Sequence, residues 1–194
     1  MIDDIARTLT GELVELEPLV PGHADELWNA LDDDVVWKWI PVGRVDRAGF
    51  DRFFEFLLGE NTARGMVTWV NRLRETGELV GTSSYLAIRR EHDGVEIGYT
   101  MVASSAWGTG ANVEAKLLMM EHGFETVGLQ RIEFKTDARN ERSRGALAAL
   151  PAHFEGIFRR HMNTAEGVRD SAYYAVTIDD WPGVKANLKA RLEG

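Results

Sequence analysis

The feature that most limits what this chain can fold into is the order of its elements after residue 65. From Met66 to Val102 three β-rich runs follow one another, separated only by the turn clusters Glu75-Thr76-Gly77-Glu78 and Glu91-His92-Asp93-Gly94. Neither gap holds a helix, so the runs read as an antiparallel meander. The last run leads through Trp107-Gly108-Thr109-Gly110-Ala111-Asn112 into a helical pattern with Val113, Leu117, Met120 and Phe124 on one stripe, and then into a strand at 131–136. Strand, helix and strand in that order make a parallel crossover. A meander that runs into a single crossover belongs to the α+β class rather than to a doubly wound sheet.

The flanking patterns fill in the rest. In 11–17 Val14 and Leu16 share a face opposite Glu15 and Glu17 until Pro18 ends the alternation, which gives a first strand. Ala24, Leu27, Trp28 and Leu31, and later Phe50, Phe53, Phe54, Leu57 and Leu58, recur at helical spacing. Between these two helices an aromatic loop at 32–41 follows the acidic run Asp32-Asp33-Asp34, and Pro41 argues against a continued helix. In 95–102 strict alternation puts Val95, Ile97, Tyr99 and Met101 on one face and Glu96 and Thr100 on the other. A short helix over about 140–150, strands near 154–162 and 171–178, and a last helix opened by Asp180 and Pro182 complete the chain. With 194 residues, 44% of them hydrophobic, and no repeat or linker, the sequence reads as one domain spanning 1–194.

Composition removes several classes of function. Twenty-two Lys+Arg against 31 Asp+Glu give a net charge of −9, so a broad electrostatic grip on nucleic acid is not expected. The absence of cysteine removes disulfides, Cys-ligated metals and thiol nucleophiles. No metal cluster is visible, because three consecutive aspartates lack the spacing of a calcium loop. Residues 1–10 have no apolar core and no run of 18 apolar residues occurs, so neither a leader nor a membrane partner is expected and the chain reads as cytoplasmic. The two glycines of the 107–112 connector let backbone N–H groups close on an anion at a positive helix N-terminus, with phosphate or pyrophosphate the natural guest and a plain tight turn the alternative. A dinucleotide fingerprint would need a third glycine or alanine at Val113 and a strand running straight into the loop, and both are missing.

This order of elements, with Glu96-Ile97-Gly98-Tyr99, the 107–112 connector followed by Glu114-Ala115, and Asp137-Ala138-Arg139-Asn140-Glu141-Arg142-Ser143, resembles the GNAT superfamily of acyl-CoA-dependent N-acyltransferases, in particular its RimJ/RimL-like branch, over nearly the whole chain. The resemblance implies a mixed, mostly antiparallel central sheet flanked by helices, with a splayed parallel strand pair at the cofactor site. It implies acetyl-CoA as co-substrate, no metal, and a primary amine as acceptor, foremost a protein or peptide N-terminal α-amine. A homodimer stays open. By the same resemblance Trp107, Gly108, Thr109, Gly110, Ala111 and Asn112 cradle the pyrophosphate, Met101 and Val102 lie along the pantetheine, and Asn140 and Ser143 stand beside the cofactor. Three positions depart from the family pattern: Ser105 where Arg or Gln is common, Leu147 where many relatives carry a tyrosine acid, and Pro151 where glycine is usual.

Acetyl transfer needs a base for the amine proton, donors for the oxyanion and help for the departing thiolate. Glu96 is the candidate base. Ser143 either hydrogen-bonds the sulfur or serves the first turn of its helix. His161 is a base, a substrate contact or a structural strand histidine, and His122 reads as core or surface. Trp37 and Trp39, with Tyr173 and Tyr174, either wall an acceptor pocket or pack the core. The acidic run either guides a cationic amine or is a solvated turn. Two other functions remain, a small-molecule amine acetyltransferase and a non-catalytic CoA-binding sensor or partner module.

Overall fold

The computed structural model describes residues 5–63 and 65–194. The part of the leader reading that rests on residues 1–4 lies outside them. Eight strands form one sheet: β1 (Leu9–Thr10), β2 (Val14–Pro18), β3 (Val67–Leu73), β4 (Leu79–Arg89), β5 (Gly94–Val102), β6 (Arg131–Asp137), β7 (His153–Thr164) and β8 (Gly167–Thr177), in the order β1-β2-β3-β4-β5-β6-β8-β7. Only β5 and β6 pair in parallel among the described residues, so the sheet is mostly antiparallel as expected and is not doubly wound. The two-residue β1 is too short to show a period in the sequence.

Alternation along β3 sends Val67 and Trp69 to one face and Met66 and Val70 to the other, so helices must cover both. On one side lie α1 (Ala24–Leu31), α2 (Asp34–Trp37) and α3 (Arg47–Thr62), closing a core around Leu27, Trp37, Phe50, Phe53 and Leu57. The opposite side carries α4 (Ala111–Glu121), α5 (Glu141–Ala149) and α6 (Trp181–Glu193), over Trp69, Tyr85, Met120, Phe134 and Leu188. A π-helical turn, His122–Val127, continues α4 and keeps Phe124 in this core. No helix among the described residues is long and apolar enough to cross a membrane.

Two local readings need correction. The 32–41 segment is not all loop: Asp33 caps α2 by accepting the Val35 N–H at 3.1 Å, and Trp37 is fully buried with its indole N–H donated to the Leu31 carbonyl at 2.7 Å. The acidic run is spent in the same place, since Asp32 and Asp34 pair with Arg44 and Asp33 also accepts from the Ser104 hydroxyl. Nor do Val95, Ile97, Tyr99 and Met101 share one face. Thr82 pairs with Met101 and Ser84 with Gly98, which leaves one extra residue on β5. Tyr99, at φ +46°, lies in this bulge, and the alternation inverts past it. Val95 and Ile97 therefore enter the α4 core, while Tyr99 and Met101 pack with α1 to α3.

Candidate active site

The parallel register of β5 and β6 covers only Gly94 to Glu96 against Arg131 to Glu133. Past Glu96 the strands part, and a cavity of about 400 Å³ opens that reaches Trp39 and Tyr99 on one side and Asn112, Lys116, Ser143 and Leu147 on the other. The loss of pairing is thus what makes room for a ligand inside a sheet.

Where α4 begins, Gly110 sits at φ +88°, in the left-handed region, and a Cβ there would stand 3.0 Å from Leu13 Cδ1. Thr109 Oγ1 donates to the Ala106 carbonyl at 2.9 Å and closes the turn, and the Ala111 side chain is buried in the core. The loop therefore offers a ligand its backbone rather than side chains, with the positive end of α4 behind it, although the Ala111 N–H donates to Thr109 Oγ1 at 3.4 Å. Trp107 and Asn112, on either side of the glycines, line the cavity, as do Met101 and Val102. Glu114 anchors this helix end. Its carboxylate accepts the N–H groups of Glu12, Leu13 and Val14 at 2.8, 2.7 and 2.7 Å, and a side chain at Gly11 would collide with it.

Three cations that line the cavity, Lys38, Lys116 and Arg142, have no side-chain hydrogen bond or ion pair among the described residues, and the last two stand on its cofactor-loop and Leu147 side. The Arg142 guanidinium lies 3.2 Å from the Trp107 ring centroid, and burial lowers its pKa. It puts a positive charge beside the glycine loop, where Ser105 supplies none. Lys116, on α4, lies 5.4 Å from the Phe134 ring, and burial lowers its ammonium to about 8. Sequence patterns gave neither residue a role.

Glu96 is only 5% exposed, and Lys135 Nζ donates to its Oε2 at 2.9 Å. Burial raises the carboxyl above its ordinary range and outweighs the opposing pull of Lys135. Asn140 Oδ1 accepts the Ser143 N–H at 3.1 Å and so caps α5, while Ser143 and Asn140 both border the cavity. Of the aromatic candidates, Trp39 borders it and Trp37 does not. Tyr174 is 4% exposed, packs on Phe154 and accepts from Arg144 Nε at 3.1 Å, so its place is in the core. His161 lies outside the cavity lining, held between the Ser171 and Tyr173 hydroxyls at 3.1 and 3.2 Å. Burial first, then Lys135 and Arg169, lower its pKa, so it is neutral near pH 7. His122 is buried, with Nε2 3.0 Å from the Ile5 carbonyl.

The family model described as an acetyltransferase (GNAT) domain matches residues 14–152. The chain belongs to the GNAT acetyltransferase family. Among relatives of this GNAT protein, N-acetyltransferase p20 of Bacillus licheniformis, itself uncharacterized, is 28% identical over 178 residues, 91% of this chain and 99% of its own. A crystal structure assigned as an acetyltransferase from T. thermophilus is 38% identical with a TM-score of 0.86, covering 95% of this chain and 96% of its own. RimJ of Mycobacterium smegmatis in complex with CoA-disulfide superposes with a TM-score of 0.80 at 25% identity, covering 94% of this chain and 92% of its own. GNAT acetyltransferases use acetyl-CoA, and the residues present here suit it. Asn112 Oδ1 is buried without a hydrogen-bond partner among the described residues and borders the cavity, so it calls for a donor from a ligand.

Proposed function

We propose that this enzyme, one domain spanning 1–194 and acting in the cytoplasm, transfers acetyl from acetyl-CoA to a primary amine, foremost a protein or peptide N-terminal α-amine. What carries the reading is one juxtaposition: the buried carboxylate of Glu96 borders the same cavity as Asn112, at the anion-attracting start of α4. Bound acetyl-CoA supplies a thioester whose carbonyl takes the amine and whose thiolate leaves. The backbone N–H groups from Gly108 to Asn112, with Arg142, hold its phosphates. Glu96 takes the amine proton directly or through water, its raised pKa making it a stronger base than a solvated glutamate. Lys116 stands on the wall that also carries Leu147, and its ammonium replaces the missing tyrosine as the acid that protonates the thiolate. Ser143 borders the same wall and can hydrogen-bond the sulfur.

Binding is the first test. Acetyl-CoA at about 100-fold over its Kd is expected to add roughly 2.7 kcal/mol to folding stability, read as a raised melting midpoint, while NAD leaves the midpoint where it was. A midpoint that responds to NAD and not to millimolar acetyl-CoA would remove the cofactor assignment.

Lys116 gives the second test. Its acid form exists below about pH 8 and is gone above, so kcat is expected to fall as pH rises through that value. Lys116→Met should lose about 10²-fold in kcat and lack the alkaline fall, with acetyl-CoA affinity unchanged by calorimetry. A variant with wild-type kcat and a raised acetyl-CoA Kd would make Lys116 a binding cation instead.

A further inference from the structure

The same cavity holds a cation that the acetyl-transfer reading does not use. Arg169, on β8, is only 5% exposed and borders the cavity beside its register partner Met162. Its Nε donates to Ser171 Oγ at 3.0 Å, and its two terminal nitrogens find no acceptor among the described residues. The carboxylates that attract it electrostatically are Asp137 and Glu96, and both are engaged elsewhere. Asp137 accepts the Arg139 N–H at 2.9 Å and its Nε and Nη2 at 3.0 and 2.9 Å, while Glu96 accepts from Lys135. Neither nitrogen is fully enclosed, so both stay open to the cavity that Arg169 lines, where a ligand group can accept from them.

The surroundings give the same sign. Trp39, which borders the cavity, has Lys38 Nζ 5.3 Å from its ring; Arg139, 5.4 Å from the same ring, is paired with Asp137. Arg44 pairs with both Asp32 and Asp34 and so offsets one of the three negative charges of the acidic run. Positive charge without a paired carboxylate among the described residues thus stands on the cavity wall, at Lys38 and Arg169, in a chain of net charge −9.

We propose that the amine acceptor carries a carboxylate within a few bonds of its reacting nitrogen and that the Arg169 guanidinium pairs with it. This rests on the N-acetyltransferase reading and narrows its acceptor. The planar fork of an arginine matches a carboxylate with two parallel hydrogen bonds, which places the neighbouring amine in a fixed position. Two sources carry this chemistry: a peptide N-terminus followed by Asp or Glu, and a free amino acid.

The test compares N-terminal Ala peptides that differ only in Glu, Gln or Lys at the second position, with free glutamate and its diamide as the small-molecule arm. The wild-type enzyme is expected to favour the Glu peptide over the Gln peptide by about 10-fold or more in kcat/KM, with the Lys peptide slowest. Arg169→Gln should abolish that preference, leave the Gln peptide within a few-fold of wild type, and weaken binding of the Glu peptide alone in calorimetry with CoA present. A preference seen only with free glutamate assigns the carboxylate to a small-molecule acceptor and supports the pairing equally. Equal rates for Glu and Gln peptides, and for glutamate and its diamide, in the wild type overturn the inference even if R169Q does not fold. Absence of acetylation from every acceptor, with acetyl-CoA bound, strikes instead at the N-acetyltransferase reading.

Discussion

Replacing Glu96 with glutamine is expected to lower kcat by about 10²- to 10⁴-fold at neutral pH, the range that general-base catalysis spans. Glutamine keeps the volume of the buried side chain and still presents a carbonyl oxygen to Lys135, which donates to Glu96 Oε2 at 2.9 Å, so the fold should survive. Only the proton acceptor is lost. The sign of the pH dependence follows from the raised pKa: the base exists above it and disappears below, so wild-type activity rises as pH climbs through that value. Glu96→Gln should lack this limb. It should recover part of its rate as pH approaches about 8, where an α-amine with a reference pKa of about 7.7 to 8.0 begins to deprotonate without help and the Lys116 acid is still partly present. Profiles of kcat and KM between about pH 5.5 and 9.5 decide the matter, with acetyl-CoA affinity as the control. Wild-type rates across that range would leave Glu96 a buried partner of Lys135 and nothing more.

The second large effect is on stability. Glu114→Ala is expected to cost about 3 to 5 kcal/mol, because it strands three N–H groups that a single carboxylate now satisfies. Against a typical total of about 5 to 15 kcal/mol this is severe. Glu114→Gln is informative beside it. Oε1 takes the Glu12 N–H and Oε2 those of Leu13 and Val14, so an amide NH₂ in either position would face a donor and the variant should also be destabilised. Urea unfolding measures both. The same contact ties the first turn of α4 to the start of β2, so acetyl-CoA affinity should fall in any folded Glu114 variant. A loss below about 1 kcal/mol for Glu114→Ala would show that water satisfies these groups and that the anchor is dispensable.

The sequence by itself determined the order of elements. The meander of β3 to β5, the crossover through α4 to β6 and the presence of two further strands before α6 all follow from local period and turn chemistry, which depend on a few neighbouring residues, while the pairing of β7 with β8 comes from the structure. The glycine connector and the carboxylate at Glu96 were legible for the same reason, whereas the resemblance put Asn140 beside the cofactor and the structure shows it capping α5. Other features depend on pairings between distant segments. The bulge at Tyr99 is set by the register of β5 against β4, and it inverts the faces that alternation predicts. Trp37 and Trp39 are two residues apart in a segment expected to be loop, and contact with Phe50 and Phe53 decides that the first is core while the second borders the cavity. Lys116, Arg142 and Arg169 come from α4, α5 and β8. Nothing local marks them, because whether a cation is left unpaired in a cavity depends on which carboxylates other elements have already engaged, and only the folded chain settles that.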